Sequence, residues 1–97
     1  MSYTKIIGTI SKVETLNTKT GVEFKKFTLK ELIFNKDTGE VIIENDFPII
    51  DFNNLTDYKH IENKRFEVDC SVSTYTVKTE TTEFQNVRLN AKKINIV

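Results

Sequence analysis

A chain of 97 residues is long enough for one modest core, too short for a cofactor domain beside a substrate domain. Its formal net charge is zero, and 38% hydrophobic against 29% charged residues calls for a compact core under a well-solvated surface. One cysteine, Cys70, and one histidine, His60, exclude an internal disulfide and a cysteine-based zinc site, and no window approaches the roughly 20 apolar residues of a membrane-crossing helix.

The first extended run covers residues 5–16 and contains Gly8, which marks a bulge or a sharp bend. Asn17-Thr18-Lys19-Thr20-Gly21 is a polar turn. The second run, 22–34, places Phe27, Leu29 and Glu31 on one face and Phe24, Lys26, Thr28 and Lys30 on the other. Asn35-Lys36-Asp37-Thr38-Gly39-Glu40 predicts a hairpin turn. The third run, 41–52, is the most apolar. Its Pro48 donates no ladder hydrogen bond, which implies an edge, a bulge or a break. Leu55, Tyr58 and Ile61 lie at i, i+3 and i+6, predicting a helix of one to two turns over 53–61, capped by Asn54 or Thr56. Asn63 suits a left-handed turn position.

The fourth run, 65–78, has the cleanest alternation. Phe66, Val68, Cys70 and Val72 interleave with Glu67, Asp69, Ser71 and Ser73. The last run, 83–97, puts Val87, Leu89 and Ala91 on one face and Phe84, Asn86, Arg88, Asn90 and Lys92 on the other. A bulge near Lys92-Lys93 would return Ile94 and Ile96 to the core. The order is β-β-β-(short helix)-β-β in a single domain, residues 1–97. That is the layout of an all-β, five-stranded OB-fold Greek-key barrel. A sandwich of about seven strands does not fit.

On three stretches the chain resembles OB-fold single-stranded DNA-binding proteins of the small bacterial or phage kind. Ile6-Ile7-Gly8-Thr9-Ile10-Ser11-Lys12-Val13 resembles the opening strand with its internal glycine. Phe24-Lys25-Lys26-Phe27-Thr28-Leu29 resembles a basic-aromatic second strand, and Phe84-Gln85-Asn86-Val87-Arg88-Leu89 the closing strand. The resemblance implies DNA rather than RNA as ligand and a role in replication, recombination or repair. The chain departs from the family in having no Trp and in ending on Ile94-Asn95-Ile96-Val97 rather than an acidic tail.

Single-strand binding needs positive charge for phosphates and aromatic faces for bases. The candidate nucleic-acid-binding residues are Lys19, Phe24, Lys25, Lys26, Lys30, Tyr75, Lys78 and Arg88. The bland reading of the lysines is a solvated face; of Phe24 and Tyr75, a barrel closure; of Arg88, a partner for a nearby Glu. Phe47 and Phe52 read as core or interface rather than stacking residues, because Asp46 and Asp51 repel phosphate. Phe27, Phe66 and Val68 read as core, Cys70 as a buried thiol and His60 as a surface side chain. No catalytic set, metal site or cofactor is expected.

Charge is unevenly placed. Residues 1–36 hold seven Lys against three Glu, and residues 37–62 hold one Lys against seven acids. A bound strand would follow the basic first third and avoid 37–62. The expected partner is single-stranded DNA or RNA, with no membrane and a possible homo-oligomer. The expected setting is the cytoplasm of a bacterium or a phage-infected cell. The competing reading is an OB barrel for protein interaction or assembly, which the neutral total and the acidic block favour.

Overall fold

The computed structural model describes residues 2–97. Five strands follow in chain order: β1 (Ser2–Asn17), β2 (Glu23–Phe34), β3 (Val41–Asp51), β4 (Phe66–Lys78) and β5 (Glu83–Ile96). They close into a barrel in the order β1-β2-β3-β5-β4, with β1 bonded to both β2 and β4. Among the described residues only the β3–β5 contact is parallel, and it is short: Ile49 opposite Leu89 and Ile50 opposite Asn90. Among the described residues there is no helix, hence none able to cross a membrane.

Strand β1 serves two neighbours because it changes partner midway. Its residues up to Gly8 pair with β4, and from Thr9 onward it pairs with β2. Gly8 sits at the changeover because nothing larger fits: a Cβ there would lie 2.2 Å from the carbonyl oxygen of Lys30. Gly8 is thus a point of close approach between β1 and β2 and not the bulge its sequence position suggested. The bulge lies further on, where Lys12 and Val13 together face Phe27 and Lys12 takes a left-handed φ of 53°. That extra residue keeps Val13 against the core.

Alternation in β2 and β4 sends Phe27, Leu29, Phe66, Val68 and Cys70 inward. They meet Ile6, Ile10, Ile49, Ala91 and Ile94. In β5, Lys92 is skipped between Ala91 and Lys93, so the bulge read from the sequence is present and Ile94 is buried. Ile96 does not follow it. It is exposed, because it lies opposite Phe66 at the very end of the ladder. Burial raises the Cys70 thiol to a pKa of about 11, with Asp69 adding to the effect, so the thiol stays protonated.

The predicted helix over 53–61 does not form, because Asp51 takes over its backbone donors. Buried at the end of β3, its carboxylate accepts the N–H of Asn53 at 2.9 Å and of Leu55 at 2.8 Å. Asn54 between them adopts φ 53°, which a helix does not tolerate. Asp57 then accepts the N–H of Lys59, and a single turn closes from His60 N–H to the Asp57 carbonyl. The segment is a pinned loop. Leu55, Tyr58 and Ile61 still pack on the core, with Tyr58 5.7 Å from the Phe27 ring. The periodicity was that of a loop laid over a barrel end, not of a helix.

Candidate functional site

Register fixes which side chains share the outer face. Lys26 of β2 lies opposite Ile50 of β3, Ile50 beside Asn90 of β5, and Asn90 opposite Ser71 of β4. One step along β2 and β3, Phe24 and Phe52 take the next outward positions, and their rings meet at 5.0 Å in a tilted pair. In the other direction come Thr28 opposite Pro48, then Arg88 opposite Ser73 and Tyr75 opposite Asn86. The Arg88 guanidinium lies 5.0 Å from the centre of the Tyr75 ring. The result is a diagonal track across β2-β3-β5-β4, from Phe24–Phe52 through Lys26 and Pro48 to Arg88–Tyr75. From strand spacing and rise it runs roughly 25 Å.

At the Phe24 end the track opens into a cleft of about 310 Å³, lined by Phe24, Lys25, Phe52, Asp57, Tyr58 and Lys59, among others. Tyr58 forms its inner wall, its hydroxyl donating to Asp51 at 2.5 Å. Burial pushes the Tyr58 phenol far above its ordinary range, and the neighbouring carboxylate adds to this. The group stays a neutral donor. At mid-track, Asn90 Oδ1 is buried and has no hydrogen-bond partner among the described residues.

The structure brings together Phe24, Lys26, Tyr75 and Arg88. Lys19 stands exposed in the turn just beyond the Phe24 end. Lys25 occupies an inward-parity position opposite Asp51 at the barrel mouth, its ammonium donating to Thr15, and reaches the cleft from the side. Lys30 is on the outer face, but its ammonium is bound to Glu44 at 2.6 Å beside Asp46. Hydrogen bonding to Glu44 raises the Lys30 pKa, and its charge is spent within the protein. Lys78 is exposed at the tip of the β4–β5 hairpin, beyond Tyr75. Arg88 has Tyr75 rather than a glutamate as its neighbour.

Three track or cleft residues escaped the sequence reading. Phe52 reads from the sequence as core or interface; the core half of that reading fails, since the side chain is 45% exposed beside Phe24. Its even parity with Ile50, one past the inward Asp51, was the available signal. Lys59 was hidden by the helical reading of its loop. Nothing in the sequence marked Asn90.

The sequence matches no protein-family model and no curated protein. Solved structures do match. A mitochondrial single-stranded DNA-binding protein from S. cerevisiae superposes with a TM-score of 0.72 at 20% identity, over 99% of this chain and 94% of that one. The single-stranded DNA-binding protein of Plasmodium falciparum, solved with single-stranded DNA, gives 0.72 at 17% identity over 100% and 95%. A small single-stranded DNA-binding protein from Streptomyces coelicolor gives 0.62 at 11% identity over 99% and 94%. The chain therefore has the fold that its sequence resemblance implied, the five-stranded OB-type barrel of these single-stranded DNA-binding proteins.

Proposed function

We propose that this barrel binds single-stranded nucleic acid, DNA foremost, along the diagonal track and without sequence specificity. The observation that carries the reading is the placement of two aromatic centres, Phe24–Phe52 and Tyr75, at opposite ends of one open face, with the cations Lys26 and Arg88 between and beside them. A track of roughly 25 Å suits about four nucleotides, the lower end of what one OB barrel holds. Bases stack on Phe52, Phe24 and Tyr75, each worth about 1–3 kcal/mol. Lys26, Arg88, Lys19, Lys25 and Lys59 meet phosphates, with Lys78 extending the path past Tyr75. Lys30 contributes little, since Glu44 holds it. Structural neighbours that are single-stranded DNA-binding proteins support the same ligand. The process served is DNA replication, recombination or repair, in the cytoplasm of a bacterium or a phage-infected cell. No chemical step is assigned to the site.

The test is fluorescence anisotropy of a labelled oligo-dT titrated with the protein at several salt concentrations. Binding should weaken as salt rises, with a log–log slope of about −2 to −3 for three or four phosphate contacts. A flat salt response, or no binding at low salt, rejects the reading.

A further inference from the structure

The cleft at the Phe24 end differs in kind from the track that leads to it. Along the track, stacking and charge hold a strand whatever its bases, because every base has a π-face. The cleft adds directional polar groups. At about 310 Å³ it lies at the small end of the roughly 300–1,000 Å³ of ligand sites, room for one base and not for a length of strand. Its aromatic wall is the Phe24–Phe52 pair, whose rings touch at 5.0 Å, so a base lies against the pair and not between the rings.

Charge disfavours a phosphate deep in the cleft. Glu23 and Asp57 line it against Lys25 and Lys59, and the buried Asp51 carboxylate behind Tyr58 adds to the negative side. A neutral ligand with polar edges fits better. Asp51 is fully engaged by Asn53, Leu55 and Tyr58, but Asp57 is not. One Asp57 oxygen accepts the Lys59 N–H at 3.0 Å, and the other meets His60 Nδ1 at 2.5 Å. Bonding to His60, and then to the Lys59 N–H, lowers the Asp57 pKa, so the group stays an acceptor-only carboxylate. Those bonds also fix its direction, and each oxygen keeps a further lone-pair site.

A carboxylate so placed takes two donors side by side. Among the DNA bases only guanine carries them, N1–H beside the N2 amine. The thymine N3–H stands between two carbonyls, and adenine and cytosine set a bare ring nitrogen beside their amine. Lys59 completes the match. Its ammonium has no carboxylate partner among the described residues, and it has donors enough for guanine O6 or N7 as well as a phosphate at the cleft mouth.

We propose that the cleft is a single-base subsite selective for guanine, with Asp57 accepting from N1–H and the N2 amine, Lys59 donating to O6 or N7, and Phe52 against the ring face. This rests on the strand lying along the track, and it gives an otherwise indifferent barrel one position of preference. An arginine side chain offers a similar fork of donors but no acceptor for Lys59.

Fluorescence anisotropy tests this with a labelled oligo-dT of about six nucleotides and strands of the same length carrying one dG at either end. At the end that reaches the cleft while the rest lies on the track, dG should tighten binding about tenfold or more over all-dT; at the other end it should not. Deoxyinosine in its place, which lacks the N2 amine, should lose most of the gain, a comparison that needs no variant to fold. Asp57→Asn, at an exposed side chain, should bring the two strands within about twofold of each other. Free deoxyguanosine should erase the gain by competition, and N-acetylarginine amide should not. Equal binding of dG and dT strands overturns the subsite and leaves the track standing. So does a preference that survives Asp57→Asn, or competition by the arginine compound alone, which would make the cleft a peptide site. Binding of no strand at all removes the track and the subsite together.

Discussion

Replacing Asp51 by alanine should unfasten the loop that walls the cleft. The carboxylate is fully buried and holds three donors: the backbone N–H groups of Asn53 and Leu55 and the Tyr58 hydroxyl. Hydrogen bonds to a charged group contribute about 1.5–3 kcal/mol each, but three sharing one acceptor do not add in full. Exposed to water by loop opening, the freed donors recover part of the loss. We expect Asp51→Ala to cost about 3–5 kcal/mol and Tyr58→Phe, which removes one donor, about 1–2 kcal/mol. A chain of this size has about 5–10 kcal/mol in total, so the alanine variant sits close to unfolding at ambient temperature. Urea titration followed by tyrosine fluorescence should show a midpoint lower by about 2–3 M at an unchanged slope. In the double variant, the Tyr58→Phe penalty should largely vanish, since its partner is gone. A loss below about 1 kcal/mol for Asp51→Ala, or full additivity of the two changes, would mean that Asp51 does not fasten the loop.

Gly8→Ala places a methyl group 2.2 Å from the Lys30 carbonyl oxygen, backbone that cannot swing aside. We expect a loss of about 3 kcal/mol or more, read as a fall in melting temperature, whereas Gly21→Ala, with open space around it but a φ of +87°, should cost only about 1 kcal/mol. The Cys70 thiol has a folded pKa of about 11, above its ordinary 9.0. Its stabilising contribution is therefore complete below pH 9 and lost as pH rises toward 11, so Cys70→Ser or Cys70→Ala should make the decline from pH 9 shallower in pH-dependent urea titrations, leaving the part above pH 10 that the raised Tyr58 phenol contributes. Lys26→Glu should weaken oligo-dT binding about tenfold or more, and Lys30→Glu distinctly less, because Lys30 is already paired with Glu44. Equal effects at the two positions would show that the ion pair does not decide which lysine meets phosphate.

The barrel was legible because β2 and β4 alternate so cleanly. Phe27, Leu29, Phe66, Val68 and Cys70 could be placed inside from parity alone, and the turn at 35–40 from its Asn, Asp and Gly. The bulge at Lys92 was legible too, from the phase slip between Ala91 and Ile94. The loop at 53–61 was not, since spacing cannot reveal that a buried carboxylate at its entrance will capture the backbone N–H groups. In β3 hydrophobicity alone does not tell burial. Val41, Ile42 and Ile43 belong to the most apolar run, yet they are exposed because they lie beyond the reach of β1 and β5, and only the closure of the barrel shows that. At the site, residue type and parity located Phe24, Lys26 and Arg88. Neither could show that Lys30 is neutralised by a residue across the hairpin, or that Phe52 turns out to meet Phe24.

Whether a single strand lies on the track from Phe24–Phe52 to Arg88–Tyr75 is decided by amide chemical-shift mapping of the isotope-labelled protein titrated with an oligo-dT of about eight nucleotides, long enough to fill one barrel. Shifts concentrated on Phe24, Lys26, Ile50, Phe52, Tyr75 and Arg88, with Lys36–Glu40 undisturbed, are the expected result. Shifts confined to the β2–β3 hairpin, or none at saturating oligonucleotide, would contradict that placement.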